Sequence, residues 1–150
     1  VMFTNLEKKY VEQIFNLQIN NADEFGNNIW SRQEINDLIK KNGFFSTVYL
    51  ERKRIEGFGM FFEIDNFLDL YSLFVSPKFR KRGIATTIID CAVNHCKKKN
   101  LIKIVLEVNE KNTKAFNFYI SKSFTKTGRR KNYYQLGENY FDAILMEMRI

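Results

Sequence analysis

The sequence predicts an α/β (α+β) fold, a mixed sheet with helices packed on its faces. Three observations predict it. From Phe67 to Arg149, segments with strand character alternate with segments of helical spacing, in the order strand, helix, strand, helix, strand, strand. Hydrophobic residues make up 45% of the 150, with fifteen Phe and seven Tyr, which fills the interior of one domain and not of two. Pro77 is the only proline, and neither a Pro/Gly/Ser-rich linker nor an internal repeat divides the chain, so 1–150 reads as a single domain.

A short first strand is weakly signalled at Met2 to Thr4. Leu6, Tyr10, Ile14 and Leu17 follow at helical spacing and predict a helix to about Ile19. The polar stretch Asn20 to Asn28 reads as a connection. Ser31, with Glu34 three residues on, is the capping-box pattern and opens a helix that Asn42-Gly43 stops. Phe45 to Leu50, Ile55 to Ile64 and Phe67 to Val75 read as strands, the first two joined by a turn at Arg52-Lys53-Arg54. Ser76-Pro77 ends the third. Gly83 to Lys99 is a longer helix, with Ile84, Ile88, Cys91 and His95 on one stripe and Ile89, Ala92, Val93 and Cys96 beside it. Leu101 to Val108 is a buried strand, and Asn112 or Thr113 starts a short helix through Tyr119. Phe124 to Tyr133 and Phe141 to Arg149 complete the sheet.

Composition narrows the function. Lys plus Arg number 24 against 17 acidic residues, a net charge of +7. That balance suits an anionic partner (nucleic acid, a ribosomal surface, a phosphorylated cofactor) or simply a solvated Lys-rich surface. No apolar run approaches the ~18–20 residues that cross a bilayer, and the opening Val1 to Asn5 lacks the layout of a secretory signal. Cys91 and Cys96 lie five apart in one predicted helix, which does not favour a bridge; two lone thiols suit a reducing cytosol and read as packed residues. His95, the only histidine, sits beside Lys97, Lys98 and Lys99 and reads as an exposed polar residue. One His and two close Cys cannot supply a closed zinc site, so no metal is expected.

The central motif is Arg80-Lys81-Arg82-Gly83-Ile84-Ala85, between a strand and a helix. A helix N-terminus presents unpaired N–H groups and the positive end of its dipole, and a pyrophosphate can dock there. Gly83 and Ala85 leave room for phosphate oxygens, and Arg80 and Arg82 add charge. Two other phosphate motifs fail: Gly57-Phe58-Gly59 has Phe62 where a dinucleotide loop needs its third glycine, and no Gly-Lys-Ser/Thr occurs.

Arg-x-x-Gly-x-Ala in this setting resembles the coenzyme A pyrophosphate loop of the GNAT acetyltransferases. Leu106-Glu107-Val108-Asn109-Glu110-Lys111-Asn112, with Ala115 and Tyr119, resembles that superfamily's second cofactor segment. Gly128 to Tyr134, Asp142 to Met146 and Phe25 through Trp30-Ser31 are similar to one branch, the bacterial ribosomal-protein-alanine N-acetyltransferases. The resemblance covers most of the chain. It implies a GNAT-like, mostly antiparallel sheet of six to seven strands flanked by about four helices, with splayed fourth and fifth strands. The sequence departs from the family at Ser123, where glycine is usual before Phe124; serine is tolerable there if its backbone is not left-handed.

The same resemblance implies acetyl-CoA as cofactor and coenzyme A as product. Backbone groups of Leu73, Phe74 and Val75 would align the pantetheine arm. Arg80, Arg82, Gly83, Ile84, Ala85 and Thr86 would hold the pyrophosphate, and Asn112 the pantetheine or phosphate arm. Glu107, a carboxylate out of place in a buried strand, is the candidate general base, with a strand-end salt bridge as its alternative. Tyr119 is the candidate general acid for the departing thiolate. Tyr133 and Tyr134, ahead of a loop that closes over the acceptor, would grip an extended peptide, with Phe25 and Trp30 as the opposite wall.

The expected acceptor is a protein N-terminal amine, as in that branch, which acetylates the N-terminal alanine of a small-subunit ribosomal protein. An α-amine has a pKa of about 7.7–8 against about 10.4 for lysine, so roughly a sixth is neutral at pH 7. One carboxylate suffices for it, whereas lysine needs a second base, for which the sequence offers no clear candidate. The alternatives are a GNAT enzyme for small amines or lysine side chains, and a basic RNA- or ribosome-binding module using Arg129-Arg130-Lys131 with Tyr133-Tyr134. A cytoplasmic monomer that requires no membrane and no direct nucleic-acid contact completes the expectation.

Overall fold

A computed structural model describes residues 2–150; of the opening segment, Val1 lies outside the described residues. Seven strands form one sheet: β1 (Met2–Thr4), β2 (Phe44–Glu51), β3 (Arg54–Ile64), β4 (Phe67–Val75), β5 (Lys103–Asn109), β6 (Thr125–Leu136) and β7 (Asn139–Arg149). Their order is β1-β2-β3-β4-β5-β7-β6. Every pairing is antiparallel except β4 with β5. The mixed sheet is the expected one, with the weakly signalled β1 in place. None of the described helices is long and apolar enough to cross a membrane.

The helices are α1 (Val11–Asn20), α2 (Ala22–Phe25), α3 (Arg32–Lys40), α4 (Ile84–Lys99) and α5 (Thr113–Ser121). Leu6 does not start a helix: its N–H donates to the Ser46 hydroxyl at 2.9 Å, and a 3-10 turn at Lys8–Tyr10 leads into α1. The polar stretch after α1 also holds α2, a single turn whose polar residues carry no apolar periodicity. The capping box of α3 is present on both arms, Ser31 Oγ to the Glu34 N–H at 3.1 Å and Glu34 Oε1 to the Ser31 N–H at 3.0 Å.

Each face of the sheet has its own apolar layer. Ile14 of α1 and Ile35 of α3 pack with Phe58, Met60 and Phe74 on one face. On the other, Ile88, Ile89 and Ala92 of α4 and Tyr119 of α5 pack with Phe61, Leu68 and Ile104. The two glycines of the failed nucleotide motif explain how closely α4 approaches. A Cβ on Gly59 would stand 2.5 Å from Ile88 Cγ2 and 2.9 Å from Phe61, and one on Gly57 would stand 3.2 Å from Ile84. His95 departs from expectation. It is half-buried, stacked on Phe45 at 4.1 Å and 2.7 Å from Glu63 Oε1, so it belongs to the helix–sheet contact rather than to the surface.

Ser123 sits in the left-handed region at φ 72°. Glycine is favoured where a helix ends this way, and a side chain there costs roughly 1–2 kcal/mol. The turn closes with the Phe124 N–H on the Tyr119 carbonyl at 3.0 Å, which buries Phe124 with its ring edge-on to Tyr119 at 5.5 Å. The condition under which serine would be tolerated without strain is therefore not met.

Gly59→Ala tests the helix–sheet contact. Overpacking of this kind costs typically ~1–3 kcal/mol, read as a lower denaturation midpoint with an unchanged slope. A midpoint equal to the parent's would mean that α4 moves away freely.

Candidate active site

β4 and β5 pair over two positions, Leu68 with Ile104 and Asp69 with Val105. Beyond them the strands separate. The described residues that follow on β4, through Val75, keep their partners on β3 except for Tyr71, which stands at a register shift, while those on β5, through Asn109, keep theirs on β7. Each therefore shows a free strand edge to the gap. Leu73, Phe74 and Val75 stand on the β4 edge, as the pantetheine reading requires.

At the end of β4 the chain turns through Pro77–Phe79 into the start of α4. Gly83 is the N-cap at φ 81°, with no side chain capping the helix, and a Cβ there would meet nothing within 4 Å. The first-turn N–H groups of Ile84, Ala85 and Thr86 are thus free to receive an anion on an open side. The two arginines differ. Arg80 Nε donates to the Val75 carbonyl at 2.8 Å and Nη2 to Glu24 Oε1 at 2.8 Å, so its head joins the loop to α2. Arg82 lies over the Phe79 ring at 5.0 Å and makes no ion pair among the described residues. Asn112 is the N-cap of α5, its Oδ1 accepting from the Ala115 N–H at 3.1 Å, which leaves its amide nitrogen for a cofactor contact.

Strand alternation puts Leu68, Leu70, Ile104, Leu106 and Val108 into the core. Asp69, Tyr71 and Glu107 consequently share the other face, at the mouth of the gap. Glu107 Oε1 is 3.0 Å from Arg130 Nε. The salt bridge weighed as its alternative role thus exists, made by a half-exposed side chain from β6. Burial, and then the Glu107 charge, push the Asp69 carboxyl up from its ordinary 3.8 to about 6. The Tyr133 phenol is raised chiefly by Glu107. Tyr134 is pushed up to about 12 by burial, then by Glu107 and Tyr133. Tyr119 is raised by burial first and by Tyr134 second. Tyr119 keeps its proton at neutral pH, as a general acid must.

The connection that follows Tyr133 and Tyr134 is a tight turn rather than a long loop. Both tyrosines lie within β6, which continues to Leu136 and turns at Gly137 and Glu138 into β7. Their hairpin reaches the α1–α3 connection directly, where Asn27 Nδ2 donates to the Gln135 carbonyl at 2.5 Å. Trp30 stacks on Tyr71 at 5.5 Å and 9°. Gln18 fixes Trp30, its wholly buried amide bonding the Trp30 carbonyl at 3.0 Å and N–H at 2.9 Å. Phe25 packs on Phe58 and Phe74. Both aromatics are half-buried parts of the wall as well as candidates to border the acceptor.

The acetyltransferase (GNAT) family model matches residues 11–124. The chain belongs to the GNAT acetyltransferase family. A ribosomal protein bS18-alanine N-acetyltransferase of Salmonella typhimurium is 28% identical over 81 residues, 54% of this chain and 55% of that protein. The chain thus spans about half the length of that relative. The Haemophilus ducreyi protein of the same name is 27% identical over 122 residues, 79% of this chain and 82% of that one. In structure, the Escherichia coli ribosomal-protein-S18-alanine N-acetyltransferase superposes with TM-score 0.84 at 18% identity, covering 99% of this chain and 93% of that one. Arabidopsis thaliana NAA60 in complex with a bisubstrate analogue superposes at 0.86 and 19%, covering 99% and 97%. These likenesses establish the GNAT fold.

Asp69 and Tyr71 escaped the sequence reading, and Arg130 entered it only as part of a basic RNA-binding alternative. Asp69 carried the signal that drew attention to Glu107, a carboxylate between two core leucines. The Arg130 contact crosses from β6 to β5 and leaves no local trace.

The raised Asp69 pKa fixes the sign of a pH effect. The fold favours the protonated form, so this contribution is fully present below about pH 4 and lost as pH rises through about 6. Asp69→Asn, neutral throughout, should be more stable than the parent at pH 7 by roughly 1–2 kcal/mol after discounting for partial exposure. The difference should vanish near pH 4. Denaturant titrations at the two pH values check it, and equal stability at both would show that the site solvates Asp69 fully.

Proposed function

We propose that the chain is an acetyl-CoA-dependent N-acetyltransferase acting on a protein N-terminal α-amine, with the N-terminal alanine of a ribosomal protein as the favoured acceptor. The observation that carries the reading is the meeting, at one strand gap, of a free β4 edge, an uncapped helix N-terminus and the Glu107 carboxylate. The relatives named as bS18-alanine N-acetyltransferases support the acceptor class.

When bound, acetyl-CoA supplies the acetyl group as a thioester. Leu73 to Val75 hold the pantetheine arm through main-chain groups. The N–H groups at the start of α4, with Arg82, hold the pyrophosphate. Glu107 accepts a proton from the acceptor amine, directly or through water. Arg130 engages its Oε1, and the proton is assigned to Oε2. Tyr119 holds its proton at the hydroxyl for the departing sulfur. Tyr133, Tyr134, Trp30 and Phe25 hold the acceptor chain.

Asp69 bears on the choice of amine. A lysine acceptor needs help with its proton beyond one carboxylate, because about 3.5 kcal/mol separates its deprotonation at pH 7 from that of an α-amine. Asp69 is such a second carboxylate, contrary to the expectation that none was available. It gives the lysine or small-amine reading a specific basis. The α-amine reading then rests on the pKa gap and on the relatives. The RNA-module reading loses support, since Arg129 and Arg130 are engaged with Asp142 and Glu107.

Tyr119→Phe should lower turnover by ~10²–10⁴-fold with acetyl-CoA affinity nearly unchanged, measured by single-turnover kinetics and calorimetry. Unchanged turnover with chemistry rate-limiting would remove Tyr119 from the role. An Ala-starting peptide should also be acetylated faster than the same peptide with a blocked N-terminus and an internal lysine. The reverse order, or a preference for a polyamine, would overturn the acceptor while leaving the acetyltransferase reading intact.

A further inference from the structure

Between Arg130, paired with Ala143, and Tyr134, paired with Phe141, three residues of β6 stand opposite a single residue of β7, Asp142. Unpaired bulge residues lose ladder hydrogen bonds and need another anchor. Asn132, the middle residue, is left-handed at φ 53°. Its N–H donates to Asp142 Oδ1 at 2.9 Å. Asp142 Oδ2 accepts from Arg129 Nη1 at 2.6 Å, and the pairing holds the Asp142 carboxyl below its ordinary range, Arg129 first and the Asn132 N–H second. Asp142 is in turn tied to the end of β5. The Glu110 N–H donates to the Asp142 carbonyl at 2.9 Å, and the Asp142 N–H donates to the Glu110 carboxylate. Glu110 lies three residues after Glu107.

We infer that Asp142 is a positioning residue, which clamps the β6 bulge so that Arg130, Tyr133 and Tyr134 are aimed at Glu107. The inference rests on the reading of Glu107 as the base and deepens it. The residues on either side of the clamp carry the consequence. Arg130 precedes the bulge and reaches Glu107 at 3.0 Å. Tyr133 belongs to the bulge and lies under the Arg130 guanidinium at 5.6 Å. Tyr134 follows it, edge-on to Tyr133 at 5.1 Å. Strand side chains alternate, so a one-residue slip of β6 would turn this set to the opposite face. An ordinary sheet would prevent slippage through its ladder. Here the carboxylate of one residue replaces three positions of ladder, and it sits beside the reacting groups.

The test compares Asp142→Ala, which removes both arms, with Asp142→Asn, which keeps an oxygen for the Asn132 N–H and loses the charge facing Arg129. Acetyl-CoA affinity by calorimetry should stay within about twofold for both. Turnover per KM for an Ala-starting peptide should fall roughly 10²-fold in the alanine variant, the scale for misplacing reacting groups by an ångström, and less in the asparagine variant. An NMR titration of ring-labelled tyrosine supplies a readout independent of substrate. Tyr133, raised chiefly by Glu107, and Tyr134, raised by burial and then by Glu107, should both titrate closer to the ordinary tyrosine value in the alanine variant. Parent-like titration of both tyrosines overturns the inference whatever the substrate, and so does parent-like turnover on the peptide. If the alanine variant fails to fold, the same two measurements on the asparagine variant decide. A parent protein that acetylates no peptide N-terminus refutes the proposed acceptor instead, and the tyrosine titration still decides whether Asp142 sets the geometry.

Discussion

The parallel contact between β4 and β5 holds for two residue pairs and then stops. A sheet that continued would satisfy both strands and leave no site. Because the pairing stops at Asp69 and Val105, two runs of main-chain groups face a gap with no strand between them. Such groups need partners, and under the proposed function an amide-bearing cofactor arm along the β4 edge would meet that need. The same separation lets Asp69, Tyr71 and Glu107 share one mouth without being sealed between strands. Binding surface and acid–base groups are therefore consequences of one local failure of pairing.

Much of the remaining architecture holds that gap open and fixed. Gly57 and Gly59 let α4 lie close against β3, which sets where its N-terminus ends up relative to the β4 edge. Tyr119 is held in the α4-side core by α5, whose strained end at Ser123 buries Phe124 against it. Arg80 ties the loop before α4 to α2, so the helix start and the α1–α3 connection share an ion pair. On the far side, β7 supports β5 along its whole length while β6 bulges over it.

The elements themselves were legible because their signals are local. The α3 capping box is written in Ser31 and Glu34, the β4 span in Phe67 to Val75, and the α4 start in Gly83. What was not legible came from contacts distant in sequence. α2 is one turn held by its surroundings. His95 sits among lysines in the sequence yet packs on Phe45, which no pattern within α4 encodes. Glu107 was readable as out of place, but its Arg130 partner lies 23 positions along the chain, on the far side of β7. Asp69 carried the same pattern signal as Glu107 and was passed over because the family resemblance pointed only at the second. The resemblance supplied roles for residues that match it and was silent on those that do not.

The charge of +7 suggested an anionic partner, and the disposition of the cations gives that suggestion a narrower meaning. Three arginines near the gap are already answered: Arg80 by Glu24, Arg129 by Asp142 and Arg130 by Glu107. They spend their charge holding loops and strands in register. Arg82, beside an uncapped helix N-terminus, is the arginine of the loop without such a partner among the described residues. Attraction for an anion is thus focused where the main-chain N–H groups already point. Around Glu107 and Asp69 the local balance runs the other way, with carboxylates and phenols facing the gap. One end of the site favours a polyphosphate and the other a cationic amine that must lose its proton. That separation is what transfer from a phosphorylated carrier to an amine requires.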